Sequence, residues 1–321
     1  MKMEKRMLYG VLLLVASVLL SASKAVYLAS LLQGKNPVVL LLVTFSFTSL
    51  FFNAIEIRDL KGYRASIKGS FADIALLNVV TASSWISYFY AIKYLEPAIH
   101  AAVANSSGPV ITIIVALGCR TGDKVSKAGV ISAVGILGSV LILLAGTVSG
   151  RSAVGTIPVN SLVFGLGMAA LCGVSIVCIT FLSKRLAVAG WKASRIMAAR
   201  FFGLLVIAYL LMPAGGLSQI ATPQDAAAVI AITIFGVIIP IYCSQLGMER
   251  CRDAMTIAFV IALLPLCMFC VQLMDTRLHV SYFSLVGIIA ALMFTGYGIA
   301  ARFREIRCRE ESESVAGLCA K

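Results

Sequence analysis

The sequence predicts an all-α membrane protein, with ten transmembrane helices in two inverted five-helix repeats. Three observations lead there. Hydrophobic residues make up 60% and charged residues 13% of the 321 residues, where a soluble domain is nearer half apolar and a quarter charged. Ten apolar segments are long enough to cross a bilayer, which takes roughly 20 residues. One interrupted pattern also occurs twice, as AIKYLEPAIHAAVANSSGP over Ala91–Pro109 and as GMERCRDAMTIAFVIALLP over Gly247–Pro265. A mean hydropathy of +0.98 agrees.

The expected spans are 7–31, 37–55, 71–92, 97–118, 127–148, 160–183, 194–213, 225–247, 254–274 and 281–301. Loop charge orients them. With the N-terminus inside, the inner loops and termini hold 21 Lys and Arg residues and the outer loops hold four: Lys35, Lys93, Arg151 and Arg277. Basic residues favour the cytoplasmic side, so both termini are expected in the cytoplasm, with the protein in a bacterial inner (plasma) membrane. The same asymmetry accounts for the net charge of +13 without a nucleic-acid partner, which would need the basic residues on one face. A rival reading makes the first segment a signal peptide cut after Ser21-Ala22-Ser23. Against it, the apolar stretch runs on past Lys24 to Leu32, and the charge pattern needs the segment.

The loop around 149–159 separates five segments from five. An odd number per half places the halves in opposite orientations. The domains are therefore 1–148, an outer linker 149–159, 160–301, and a cytoplasmic tail 302–321 expected to lack fixed structure, because it is mixed in charge and has no apolar stripe.

The two interrupted runs align residue by residue: Ala91 with Gly247, Ala98 with Ala254, Ala102 with Ala258, and Pro109 with Pro265. A proline inside a helix frees the carbonyl four residues earlier, here that of Asn105 or of Ile261. In lipid a freed carbonyl is costly unless protein, water or substrate satisfies it. Matched interruptions in two halves point to a binding site at the repeat interface. Pro240 marks a third helix break.

Lys24 lies well inside the first span. An ionisable residue there costs about 2.5–3.5 kcal/mol at the helix centre, which suggests a counter-charge for an anionic group such as a carboxylate. Snorkelling to the outer surface is the competing reading. Arg200 lies roughly 10 Å in from the cytoplasmic end, at 1.5 Å per residue from Ser194. It has the same two readings, with inward snorkelling or helix anchoring favoured. In the repeat register Lys24 falls on Thr180 and Arg200 on Thr44, so each charge is unmatched in the other half.

Further lining candidates are Asn78, Thr81, Ser84, Trp85 and Tyr88 on the third span, Asn105, Ser106 and Ser107 before Pro109, and Tyr242 and Gln245 after Pro240. Aromatic walls with a few polar groups are the usual make-up of a small-molecule site. The same residue types also serve the membrane interface and helix packing, and Tyr94 is read as interfacial.

No Asp or Glu lies centrally in a span; Asp73, Asp123 and Asp275 sit near ends, and His100 and His279 near the outer surface. No Walker lysine motif, HExxH or GxSxG occurs. The nine cysteines are scattered, and Cys267 and Cys270 form a CxxC inside an apolar helix, where packing is the usual role. No enzyme activity, metal or cofactor is expected.

One further pattern runs through the chain: Ala91-Ile92-Lys93-Tyr94, the small-residue run Ala101–Gly108, Pro109, then Gly122-Asp123 and the glycines 129, 135 and 138, while the second half keeps Pro265, Gly287, Gly296 and Gly298. By these residues the chain resembles the EamA-like branch of the drug/metabolite transporter superfamily over residues 8–145 and 162–300. The chain departs at Asp123, where the family usually has Glu, and at Thr44-Phe45, where an Arg is frequent; Arg200-Phe201 keeps such an Arg. The resemblance implies two EamA-like repeats and a secondary transporter. Its expected work is export of a small polar or carboxylate-bearing, amino-acid-like metabolite by alternating access. The partners are that metabolite and the bilayer, and a homodimer is compatible with the pattern. The alternatives are a nucleotide-sugar-type exchanger and a receptor or scaffold without flux.

Overall fold

Apolar length and helix punctuation set the elements. The computed structural model describes residues 2–106, 127–149, 158–250, 257, 260–275 and 281–319. The helices are α1 (Lys2–Leu32), α2 (Pro37–Glu56), α3 (Leu60–Gly69), α4 (Phe71–Tyr94), α5 (97–106), α6 (Lys127–Val148), α7 (Val159–Val188), α8 (Ala193–Ala199), α9 (Phe202–Leu210), α10 (Pro223–Ala231), α11 (Ile239–Arg250), α12 (Leu264–Gln272) and α13 (Tyr282–Cys319). Eight helical stretches among the described residues are long and apolar enough to cross a membrane. The other two expected spans are described only in part, as α5 and as Val260–Gln272. Pro109, Ser107, Asp123 and His279 lie outside the described residues.

The helix starts follow from local chemistry. The Asn36 side chain accepts from the Val38 amide at 2.9 Å, and Pro37 opens α2. The Thr222 hydroxyl accepts from the Asp225 amide at 3.2 Å, and Pro223 opens α10. Both use a side-chain cap followed by a proline where no N–H is needed. The expected reversal after Tyr94 is present: Leu95 is extended, and α5 begins at Pro97.

The helices pack in pairs. α1 lies on α11, α4 on α7, α6 on α13, and α2 on α8 and α9. At the α6–α13 crossing a side chain on Gly135 would run into the Phe294 ring, and the Ser132 hydroxyl donates to the Phe294 carbonyl at 2.8 Å. Small residues let the two backbones approach. Gly135→Val is therefore expected to cost about 1–3 kcal/mol by overpacking. Thermal unfolding in detergent should show this as a melting temperature several degrees lower.

Polar contacts gather at the two ends of the bundle. At one end Arg195 pairs with Glu56 at 3.3 Å and Asp59 at 2.6 Å, and Arg185 with Asp73 at 3.1 Å. At the other, Lys35 pairs with Asp225 at 2.7 Å, and Gln33 donates to the Lys93 carbonyl at 3.4 Å. Large apolar side chains such as Leu210, Phe181 and Tyr282 are exposed between them. Such a surface suits lipid and would be an aggregation liability in water.

Several expectations need correcting. α3 is an additional helix in what was read as a loop, started by the Asp59 carboxylate accepting from the Gly62 amide at 3.1 Å. The span expected over 194–213 is broken into α8 and α9 at Arg200-Phe201. The tail expected to lack structure continues α13 to Cys319; between Gly298 and Gly317 no glycine or proline interrupts it. The Pro265 break is present as a turn at Leu263, with helix on either side. At Pro240 the chain does not end a helix. It is preceded by a π-helical stretch, Ile232–Ile238, in which the Ile239 amide donates to the Ile234 carbonyl. A proline removes one α-type bond, and a widened turn takes up the change.

Candidate functional site

Lys24 sits where α1 crosses α4 and the π-helical stretch. Its ammonium lies 4.7 Å from the Tyr88 ring centroid and 5.1 Å from that of Trp85. The stem rests on Gly236, where an added Cβ would come within 2.6 Å of the Lys24 Cγ. Lys24 is thus turned inward onto aromatic faces, and the snorkelling alternative is set aside. Tyr88 also meets the His100 ring edge-on, with centroids 5.1 Å apart. His100, expected at the outer surface, is only 3% exposed, because α5 begins at Pro97 and has already entered the bundle by residue 100. The Tyr88 hydroxyl, His100 Nδ1 and Thr81 Oγ1 are buried with no hydrogen-bond partner among the described residues. An ammonium beside unfilled polar groups in a water-poor setting suits an anionic oxygen ligand.

Gly236 keeps this arrangement open. Gly236→Ala is expected to push Lys24 off the two rings, which a change in the tryptophan fluorescence of the purified variant checks.

A second cluster lies along the same face of α4. The Asn78 amide inserts into what would be the helical bond between Ala199 and Gly203. Its Nδ2 donates to the Ala199 carbonyl at 2.8 Å, and the Gly203 amide donates to its Oδ1 at 2.8 Å. Asn53 Nδ2 donates to the Ala198 carbonyl at 3.1 Å. A side chain inserted into the ladder breaks a helix without a proline, and the break falls at Arg200. The expected inward snorkelling of Arg200 is overturned, since the residue is only 6% exposed. Its guanidinium lies 5.3 Å from the Phe201 ring, its Nη1 reaches the Met197 sulfur at 3.6 Å, and its Nε has no partner. Phe201 packs on Phe45 at 5.2 Å, and Phe45 on Trp85 at 4.5 Å. One aromatic run therefore connects Arg200 with Lys24.

The remaining candidates are not gathered here. Asn105 and Ser106 face a separate cavity of about 20 Å³ lined also by Ile136, Pro265 and Thr295. That volume holds about one water. Asn105 Nδ2 has no partner among the described residues, but the Ser106 hydroxyl already donates to the Val103 carbonyl at 2.6 Å. Tyr242 is 44% exposed on α11. It and Gln245 lie six to nine residues beyond Gly236, about 9–14 Å along the axis. Pro240 contributes its carbonyl, which accepts from the Ser17 hydroxyl at 2.8 Å.

Besides Glu56, a second carboxylate outside the expected candidates is buried. Glu96 is 1% exposed. It accepts from Gln272 Nε2 and from the Ser284 hydroxyl, both at 3.0 Å, and so ties α5 to α12 and α13. Its position directly before Pro97 was the available signal. Among the described residues no group of three or more His, Cys, Asp and Glu comes together to hold a metal.

Residues 8–145 match the model of the EamA-like transporter family. The first part of the chain is similar to the EamA-like transporter family, which belongs to the drug/metabolite transporter superfamily. That similarity suggests a transporter of the drug/metabolite type. A solved structure, described as a crystal structure of a protein, aligns with 92% of this chain and 98% of its own length, at 20% identity and a TM-score of 0.59. That likeness concerns the fold alone. No curated protein matches the chain.

Proposed function

We propose that this protein is a ten-helix secondary transporter that exports a small carboxylate-bearing metabolite by alternating access. The observation that carries the proposal is Lys24, held over Trp85 and Tyr88 beside the unfilled Tyr88 hydroxyl and His100 nitrogen. The ammonium takes the anionic group, the two rings form the wall, and Asn105 in its own small cavity serves a step of the passage.

The helix pairing supports two inverted repeats, 1–148 and 160–301, joined by the linker 149–159. If α1 corresponds to α7 and α4 to the α10–α11 span, the pair α1–α11 maps onto α4–α7. Each of the crossings α6–α13 and α2 with α8–α9 maps onto itself. That is the pattern of a two-fold axis in the membrane plane. Rocking of the two halves would open one end at a time, breaking either the Arg195–Glu56 or the Lys35–Asp225 pair. The loop-charge asymmetry supports cytoplasmic termini and an inner-membrane location.

A second reading, nucleotide-sugar-type exchange, needs more than one basic group, and the burial of Arg200 is the observation that favours it. Comparing metabolites outside and inside cells that express wild type, Lys24→Ala and Asn105→Ala at equal membrane abundance tests the proposal. Export by wild type alone is expected. Equal export by wild type and Lys24→Ala would remove Lys24 from the site, and wild-type cells with no external accumulation would contradict export.

A further inference from the structure

We infer that the substrate carries two separated anionic groups, the first for Lys24 and the second for an anion subsite built by Arg200 at the α8–α9 break. The inference rests on the transport reading above and deepens it.

Arg200 is a buried cation with no carboxylate partner among the described residues. The described ion pairs join Lys35 to Asp225, Arg185 to Asp73, and Arg195 to Glu56 and Asp59; neither Arg200 nor Lys24 appears in them. Within the bundle Arg200 has one aromatic face and one sulfur, and its Nε is unfilled. A buried, uncompensated charge is strongly unfavourable, so a resident guanidinium in this state implies a partner that comes and goes. The backbone around it is arranged for the same purpose. Asn78 and Asn53 satisfy the carbonyls of Ala199 and Ala198, so the break is held without using the guanidinium. α9 then starts at Phe202 with no side-chain cap from Phe201, and helix N-termini favour negative charge. Asn78 already fills the Gly203 amide at this N-terminus, so the anion subsite is the buried Arg200 guanidinium itself.

The two cations come from different halves of the chain, and the elements that carry them, α1 and the start of α9, both pack on α4. Lys24 is at the level of Trp85 and Tyr88, and Arg200 is at the level of Asn78. Seven residues of helix separate Asn78 from Trp85, about 10 Å. Both side chains are long enough to shorten that gap. Trp85, Phe45 and Phe201 are packed in sequence along the way from one to the other, so a molecule with an anionic group at each end and an apolar spacer matches that order of groups once the rings part. A single carboxylate would leave one cation unneutralised.

Trp85 itself can report binding. The chain has two tryptophans, so Trp191→Phe leaves Trp85 as the sole fluorophore. Purified Trp191→Phe protein would be titrated with adipate and with hexanoate, which share a six-carbon chain and differ in one carboxylate. Adipate is expected to bind about tenfold or more tightly, because a second charge-assisted contact is made. Adding Arg200→Gln should remove that preference while leaving hexanoate binding in place, and Arg200→Lys should keep part of it. Equal affinity for the two acids in the parent protein overturns the inference without needing any Arg200 variant. In that outcome, retained hexanoate binding leaves the anion-transport reading standing. Failure of both acids to bind overturns the inference and the carboxylate reading together.

Discussion

Lys24→Ala is expected to lower export of the carboxylate-bearing substrate by at least about tenfold, with the protein still folded and inserted. A hydrogen bond to a charged group contributes about 1.5–3 kcal/mol, equivalent to roughly 10–100-fold in binding. Lys24 makes no ion pair among the described residues and rests on two rings and a glycine. Removing its charge therefore strands no buried carboxylate, and the fold should tolerate the change. A cation over an aromatic face contributes about 2 kcal/mol when desolvated. That is enough to hold the ammonium inward, but the rings cannot replace an anion as partner. Lys24→Arg keeps the charge but not the compact ammonium, and should retain an intermediate rate. Flux of the same compound through the three proteins, normalised to membrane abundance, checks the order wild type, Arg, Ala.

Asn78→Ala carries the second-largest expected effect, and it acts on shape. The Asn78 amide replaces the direct bond between Ala199 and Gly203. Without it the chain has two options. It can leave a buried carbonyl and amide unfilled, at about 1–3 kcal/mol each, or it can remake the helical bond and straighten α8 into α9. Straightening moves Arg200 and pulls Phe201 away from Phe45. Either way transport should fall by at least about tenfold, taking about 1.4 kcal/mol per factor of ten. The melting temperature should drop only if the groups stay unfilled. Asn78→Asp keeps the acceptor for Gly203 but loses the donor for Ala199, and is expected to fall between wild type and Ala. Unchanged flux in Asn78→Ala would mean that the break has no part in transport.

The contrast between these two residues explains what could be read from the chain alone. Lys24 is visible because a charge in an apolar run stands out whatever its neighbours. Asn78, Trp85 and Tyr88 share one face of α4 by helical spacing alone, and the turn before Pro97 is marked by local residues. The break at Arg200 is invisible for the opposite reason. No proline lies between Lys192 and Leu211, and the amide that opens the helix comes from a residue more than a hundred positions away. Asn78 was recognisable as a polar group on the right face but not as a backbone partner of α8 and α9. The burial of His100 was not legible because the packing of a helix against its neighbours is not reported by periodicity. Asn105 faces a cavity apart from the Lys24 rings: shared polarity in the sequence does not bring residues to one place.

The most direct measurement is counterflow of a radiolabelled carboxylate, first identified by its accumulation outside expressing cells, in proteoliposomes containing purified wild type or Lys24→Ala. With unlabelled substrate trapped inside, wild type should accumulate label transiently and Lys24→Ala should not, at equal reconstitution. Accumulation that is the same in both proteins would contradict an anion site at Lys24, and no accumulation in wild type would contradict carrier-type transport of that compound.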